Sequence, residues 1–149
     1  MRILAALALA TAALAVPTAA WAYGSDVGAY GCYVNGGQVT RPAGTEIVVR
    51  QGWVTATDGQ SRQFINAQRT TISVNSGPTI DVSGDWTTPR QLGDGTWRTD
   101  VFYPTGIVLG PGESLTFHFV ISVRHRIFDG FSYGGPGTIV DSTCTVTGA

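Results

Sequence analysis

Ser132 lies in Gly130-Phe131-Ser132-Tyr133-Gly134, which matches the G-x-S-x-G pattern of a serine nucleophile. That chemistry needs the serine on a strand–turn–helix elbow and a histidine later in the chain to accept its proton. Both histidines, His118 and His125, precede Ser132, and the residues after it do not read as a helix. The segment is expected to be a glycine-rich turn. The two histidines differ by an odd number of positions, so on one unbroken strand they face opposite ways and cannot share a metal. Asp81 and Asp85, with Asp94 and Asp100 beyond them, show neither the paired spacing of a general acid and base nor the dense oxygen ligands of a calcium loop. Asp58-Gly59, Asp94-Gly95 and Asp129-Gly130 read as turn dipeptides. His118, Arg124 and Arg126 share the outward side of one strand and are expected to be solvated and paired with acidic neighbours. No catalytic residue, metal site or cofactor is assigned, and the chain is expected not to be an enzyme.

Cys32 and Cys144 are the chain's two cysteines. An even pair in an exported protein is most simply a disulfide. Export is expected from the N-terminus. Arg2 precedes an apolar run, Ile3 to Val16; Pro17 ends it, and Ala20-Trp21-Ala22 is a small-x-small cleavage site. The run is shorter than the ~20 residues that span a bilayer, and Cys32 is poorly placed for lipid attachment. Residues 1–22 are thus expected to be a signal peptide and 23–149 a single secreted, extracellular domain, with no membrane insertion after cleavage. All nine basic residues are arginine, against ten acidic ones. This near-neutral balance points to no nucleic-acid partner.

The elements that must position any site are strands. Short runs rich in Val, Ile, Thr, Phe and Trp alternate with Gly, Pro, Asp and Asn, and no stretch shows a helical period. Seven strands are expected. A lies near Tyr30–Val34, with Cys32 and Val34 on one face. B lies near Thr45–Thr55, with a bulge at Gly52 that leaves the direction of Trp53 open. C lies near Arg69–Asn75, with Ile72 and Val74 inward. D lies near Thr79–Ser83, with Ile80 and Val82 inward. E begins at Thr96 and continues to Leu109 through an irregular Tyr103-Pro104-Thr105-Gly106. F carries Leu115, Phe117, Phe119, Ile121 and Val123 on one face, with His125 continuing it to cap the core. G lies near Thr138–Val146, with Val140, Cys144 and Val146 together. Alternation of this kind marks half-buried strands, so the fold expected is an all-β, seven- to eight-stranded sandwich with the disulfide joining the first and last strands.

Pro111-Gly112-Glu113-Ser114-Leu115-Thr116-Phe117, just after Gly106-Ile107-Val108-Leu109, resembles the E–F corner of bacterial extracellular immunoglobulin-like and fibronectin-like modules. The resemblance implies an immunoglobulin-like fold and no single role, because that fold hosts binding, adhesion and scaffold functions. The Cys32–Cys144 pair departs from the B–F pair of antibody domains.

In such a sandwich the B–C, D–E and F–G connections, residues 56–68, 84–95 and 128–137, emerge at one end. They are long and carry Arg62 and Phe64, then Asp85, Trp86 and Arg90, then Phe128, Phe131 and Tyr133. Loops on a rigid scaffold carry binding residues, and Trp, Tyr and Arg are common anchors. Phe64 and Phe128 are expected to cover the core, while Trp86 and Tyr133 fit either role. The function expected is a secreted binding module for an extracellular protein or glycan, its surface built from Arg62, Asp85, Trp86, Arg90, Phe131 and Tyr133. A carbohydrate-binding module and a structural envelope or matrix protein are the alternatives.

Overall fold

The computed structural model describes residues 26–149; the expected signal peptide lies outside the described residues. The chain runs β1 (Asp26–Gly28), α1 (Ala29–Val34), β2 (Gln38–Arg41), β3 (Glu46–Thr55), α2 (Asp58–Ala67), β4 (Gln68–Val74) and β5 (Ile80–Asp81). A 3-10 turn at Ser83–Asp85 leads to β6 (Arg90–Gln91), β7 (Trp97–Val108), β8 (Ser114–Val123), β9 (Ile127–Phe128), β10 (Tyr133–Gly134) and β11 (Gly137–Gly148). Two sheets form, ordered β1-β3-β7-β6 and β2-β11-β8-β4-β5, and β9 and β10 make a separate small hairpin. Among the described residues no helix is long and apolar enough to cross a membrane.

Period-two patterning builds the core. Leu115, Phe117, Phe119, Ile121 and Val123 of β8 are all buried, as are Ile47 and Val49 of β3, Ile72 of β4 and Val140, Cys144 and Val146 of β11. Each such side chain contributes about 1.5–3 kcal/mol on leaving water. The polar alternates face out and bond across strands. His118 meets Asp141 at 2.7 Å, Thr116 meets Thr145 at 3.0 Å and Ser114 meets Thr147 at 2.8 Å. The strand expected from Thr96 to Leu109 is one continuous element, β7.

Several expectations are overturned. Tyr30–Val34 is helix, not strand, so Cys32 and Val34 do not share a face: Ala29 and Cys32 are buried, and Tyr30, Tyr33 and Val34 are exposed. Asn35 ends the turn by donating from its side chain to the Gly31 carbonyl at 2.7 Å, and Gly36 follows at φ +84°, the left-handed conformation that glycine adopts freely. The Cys32–Cys144 disulfide is present and spans 112 residues, but it joins α1 to the last strand rather than two strands. Residues 56–68 are mostly helix, not loop. Thr57 and Gln60 form a reciprocal capping box, and Ser61, Phe64 and Ala67 make the buried face.

Ile80 is exposed, because β5 lasts only two residues before the chain turns to bury Val82. His125 is exposed, because β8 stops at Val123 and Ile127 takes the inward place. Gly52 is not a bulge: β3 pairs with β7 without a slip from Val48 to Thr55, and the irregularity falls between Glu46 and Val48. A Cβ at Gly52 would meet the Arg98 guanidinium and Asp100 Oδ1, so one of them would have to shift. Among the described residues the strands number eleven: A is replaced by α1, and β1, β2, β6, β9 and β10 lie where no strand was expected.

Candidate functional site

The three long connections do gather at one end. The Ala56 amide, just before α2, donates to the Asp129 carbonyl in the β9–β10 turn at 2.7 Å. Arg124 ties the end of β8 to the far end of α2, through its amide to the Ala67 carbonyl at 3.0 Å and its guanidinium to the Asn66 carbonyl. The 86–89 segment lines a groove with Arg62, Ile65 and Asn66 of α2.

Within that end an aromatic stack sets the position of α2. Trp53 points inward from β3, and its ring lies parallel to Phe64 with centroids 4.6 Å apart. Trp86 meets the other part of Phe64 edge-on at 4.8 Å, and its Nε1 donates to Thr70 Oγ1 at 3.0 Å. Trp86 is only 8 % exposed, so it is a core residue with one edge at the surface, not an open loop aromatic.

Between α2 and the 86–89 segment runs an open groove of about 260 Å³, lined by Arg62, Ile65, Asn66, Trp86, Thr87, Thr88 and Pro89. It brings Arg62 and Trp86 together, two of the six residues singled out in the sequence. Arg62 is exposed, and its Nε donates to Asp58 Oδ2 at 2.8 Å, one helical turn back. Thr87 is pinned to β7 by three bonds. Its amide donates to the Asp100 carbonyl at 2.8 Å, its carbonyl accepts from Thr99 Oγ1 at 2.5 Å, and its Oγ1 accepts from the Asp100 amide at 3.0 Å.

The other four residues lie elsewhere. Asp85 is exposed in the 3-10 turn. Arg90 stands on β6, with its guanidinium 3.6 Å from Asp100. Asp100 is itself buried beneath Arg98, which binds it through Nε and Nη2 at 2.7–3.0 Å. That carboxylate holds the Arg98 guanidinium above its ordinary pKa. Arg90 therefore belongs to the outer face of the β3–β7 sheet.

Phe131 and Tyr133 occupy the β9–β10 hairpin, 64 % and 62 % exposed. Phe128 and Tyr133 sit with ring centroids 4.6 Å apart, and the Arg126 guanidinium lies 4.0 Å above the Tyr133 ring. Asp129 Oδ1 accepts from the amides of Phe131 and Ser132 at 2.8 and 2.7 Å, which fixes the turn. Ser132 Oγ donates to Asp129 Oδ2 at 3.2 Å, so the serine of the G-x-S-x-G match serves the hairpin. Among the described residues no three His, Cys, Asp or Glu side chains cluster to hold a metal.

Sequence reasoning missed Ile65, Asn66 and the 87–89 stretch, because a groove beside α2 requires α2. The available signal was Thr57-Asp58-Gly59-Gln60, whose ends match a capping box but whose centre reads as a turn.

No protein-family model, curated protein or solved structure matches this chain.

Proposed function

We propose that the chain is a secreted, non-catalytic binding module of immunoglobulin-like topology, whose ligand surface is the end formed by α2, the 86–89 segment and the β9–β10 hairpin. The observation that carries this reading is the hairpin itself. Phe128, Phe131 and Tyr133 are exposed together on a turn held by Asp129 and by the Ala56 amide. Exposed aromatics gathered on a short, hydrogen-bonded turn contribute apolar contact at low ordering cost, as binding anchors do. The sheet order supports the topology: β3 and β7 pair in one sheet, β4, β8 and β11 in the other, and β2 runs parallel to β11 at its edge. The disulfide fits an oxidising compartment.

Protein is the favoured partner over glycan. A sugar ring stacks on an open aromatic face, whereas the Tyr133 ring is covered by Arg126 and neighboured by Phe128, and Trp86 is sunk into the core. The test compares immobilised wild type with a Phe131→Ala/Tyr133→Ala variant of unchanged circular dichroism. Both are exposed to the producer's culture fluid and envelope fraction and to a polysaccharide panel. A protein retained by wild type and released by the variant supports the module. Retention of polysaccharide alone reassigns the surface to glycan. Equal retention by both proteins moves the site elsewhere.

A further inference from the structure

Arg50, Arg62, Arg69, Arg90, Arg98 and His118 each meet a carboxylate within 3.8 Å. Among the described residues Arg124 and Arg126 do not, and both stand in the exposed turn that leaves β8 for the hairpin of Phe128, Phe131 and Tyr133. Arg126 lies over the Tyr133 ring, and Arg124 gives one donor to the Asn66 carbonyl. The hairpin's own carboxylate, Asp129, is turned in to the amides of Phe131 and Ser132. Asp85 and Asp94 flank β6, at the edge of the four-stranded sheet.

The opposite end carries the reverse pattern. The ten residues of β8, about 33 Å of strand, separate Arg124 from Glu113. Glu46 is at the Glu113 end, because it pairs with Val108 and the Gly44 amide donates to the Leu109 carbonyl at 2.9 Å. Each glutamate accepts one backbone amide, Glu46 from Gly106 and Glu113 from Gly110, and neither has a cation partner among the described residues. Arg41, also at this end, gives its guanidinium to the Asp26 and Thr40 carbonyls. Val108, Pro42 and Pro111 are exposed there.

We infer that the protein associates with itself head to tail: the Glu46–Glu113 end of one copy docks on the hairpin end of the next, carboxylates against Arg124 and Arg126, valine and prolines against Phe131 and Tyr133. This rests on the binding-module reading, since it names a second copy as the partner of the hairpin. Complementarity selects that occupant. Two arginines without carboxylates stand beside exposed aromatics at one end, and two carboxylates without cations stand beside exposed apolar groups at the other. A hairpin-to-hairpin dimer would instead bring the arginines of both copies together, a like-charge contact. The two patches differ and sit at opposite ends of one strand, so the contact is heterologous and extends into an open row along the β8 direction.

The test is sedimentation equilibrium of the folded, disulfide-closed protein. The average mass of wild type is expected to rise with concentration past that of two copies, and to fall back in about 1 M salt, where charges are screened within ~3 Å. Arg126→Glu alters the head. Glu46→Gln/Glu113→Gln removes the tail charges while keeping acceptors for the Gly106 and Gly110 amides. Each should weaken association by about tenfold or more, as lost charge-assisted hydrogen bonds imply. All three positions are exposed, and circular dichroism checks that the variants fold. Mixing the two variants should restore association, but only to a one-to-one pair, because one supplies an intact tail and the other an intact head. A wild type that stays monomeric up to millimolar concentration overturns the inference, as does a mass that stops at two copies or a mixture no heavier than its parts. A monomeric wild type whose foreign partner is still lost in Phe131→Ala/Tyr133→Ala overturns this inference alone and leaves the module standing. If that variant alters neither partner retention nor self-association, both readings fall.

Discussion

Trp53 and Phe64 stack face to face, 4° from parallel, and so join the inner side of β3 to the buried face of α2. Phe64 is fully buried and also meets Trp86 in a T-shaped contact. Replacing it with alanine removes the centre of a three-ring cluster. Phe64→Ala is expected to lower stability by about 3–5 kcal/mol, measured by urea unfolding. It should also quench the near-ultraviolet circular dichroism of the two tryptophans, while the strand signal in the far ultraviolet persists below the transition.

Gly52 and Arg98 form a second testable pair. A methyl group at position 52 would displace the Arg98 guanidinium, leaving buried Asp100 with its weaker partner Arg90. Breaking a buried ion pair from one side costs about 3–5 kcal/mol, so Arg98→Ala should destabilise strongly, and Gly52→Ala, which only pushes the flexible end of Arg98 aside, should destabilise less. Because both act through Asp100, the double variant should lose much less than the sum. Additive losses in a double-mutant cycle would show that Gly52 serves a purpose other than clearing space for Arg98.

Ser142 faces inward on β11, 1 % exposed, and its Oγ lies buried without a hydrogen-bond partner among the described residues. A buried hydroxyl left unpaired is unfavourable by about 1–3 kcal/mol. Ser142→Ala is therefore expected to leave stability unchanged or raise it, and a rise of about 1 kcal/mol would be read as a higher urea midpoint at constant m-value.

Asp81 gives the fold a pH dependence at the acid end. Its carboxylate accepts from the Ser83 hydroxyl at 2.5 Å, from the Ser83 amide at 3.0 Å and from Arg69 at 3.1 Å, which together lower its pKa to about 2. A depressed native pKa means that the ionised form is favoured by folding. The stabilisation is fully present above the unfolded carboxylate range, near ~3.9. It declines as pH falls toward about 2. Asp81→Asn should therefore flatten the acid limb of the stability profile and leave its shape above pH ~5 unchanged.

The strands β8 and β11 were legible because their side chains alternate between buried and outward positions. In β8 every odd position from Leu115 to Val123 is apolar and buried, and nothing but a strand makes that pattern. The helices were not legible, for separate reasons. Six residues of α1 cannot display a period of 3.6. The buried face of α2 is Ser61, Phe64 and Ala67, which reads as one apolar residue among polar ones. Gly52 looked like a bulge because its real cause, the crossing Arg98 side chain, comes from a strand far along the chain. Arg62 and Trp86 were named as members of one surface. Their meeting in a groove depends on α2 and on Thr70 turning the indole inward, and neither is written locally.

The disulfide also bears on the order in which the molecule is made. Its two sulfurs come from the first helix and the last strand, 112 residues apart, and both are buried. A chain synthesised from its N-terminus presents the Cys32 thiol long before β11 exists to supply Cys144. Closure therefore has to wait until β11 has been made, and a product that ends between Cys32 and Cys144 carries an unpaired thiol. A thiol-reactive reagent would therefore label chains that stop short of Cys144 and pass over those in which the bond has closed.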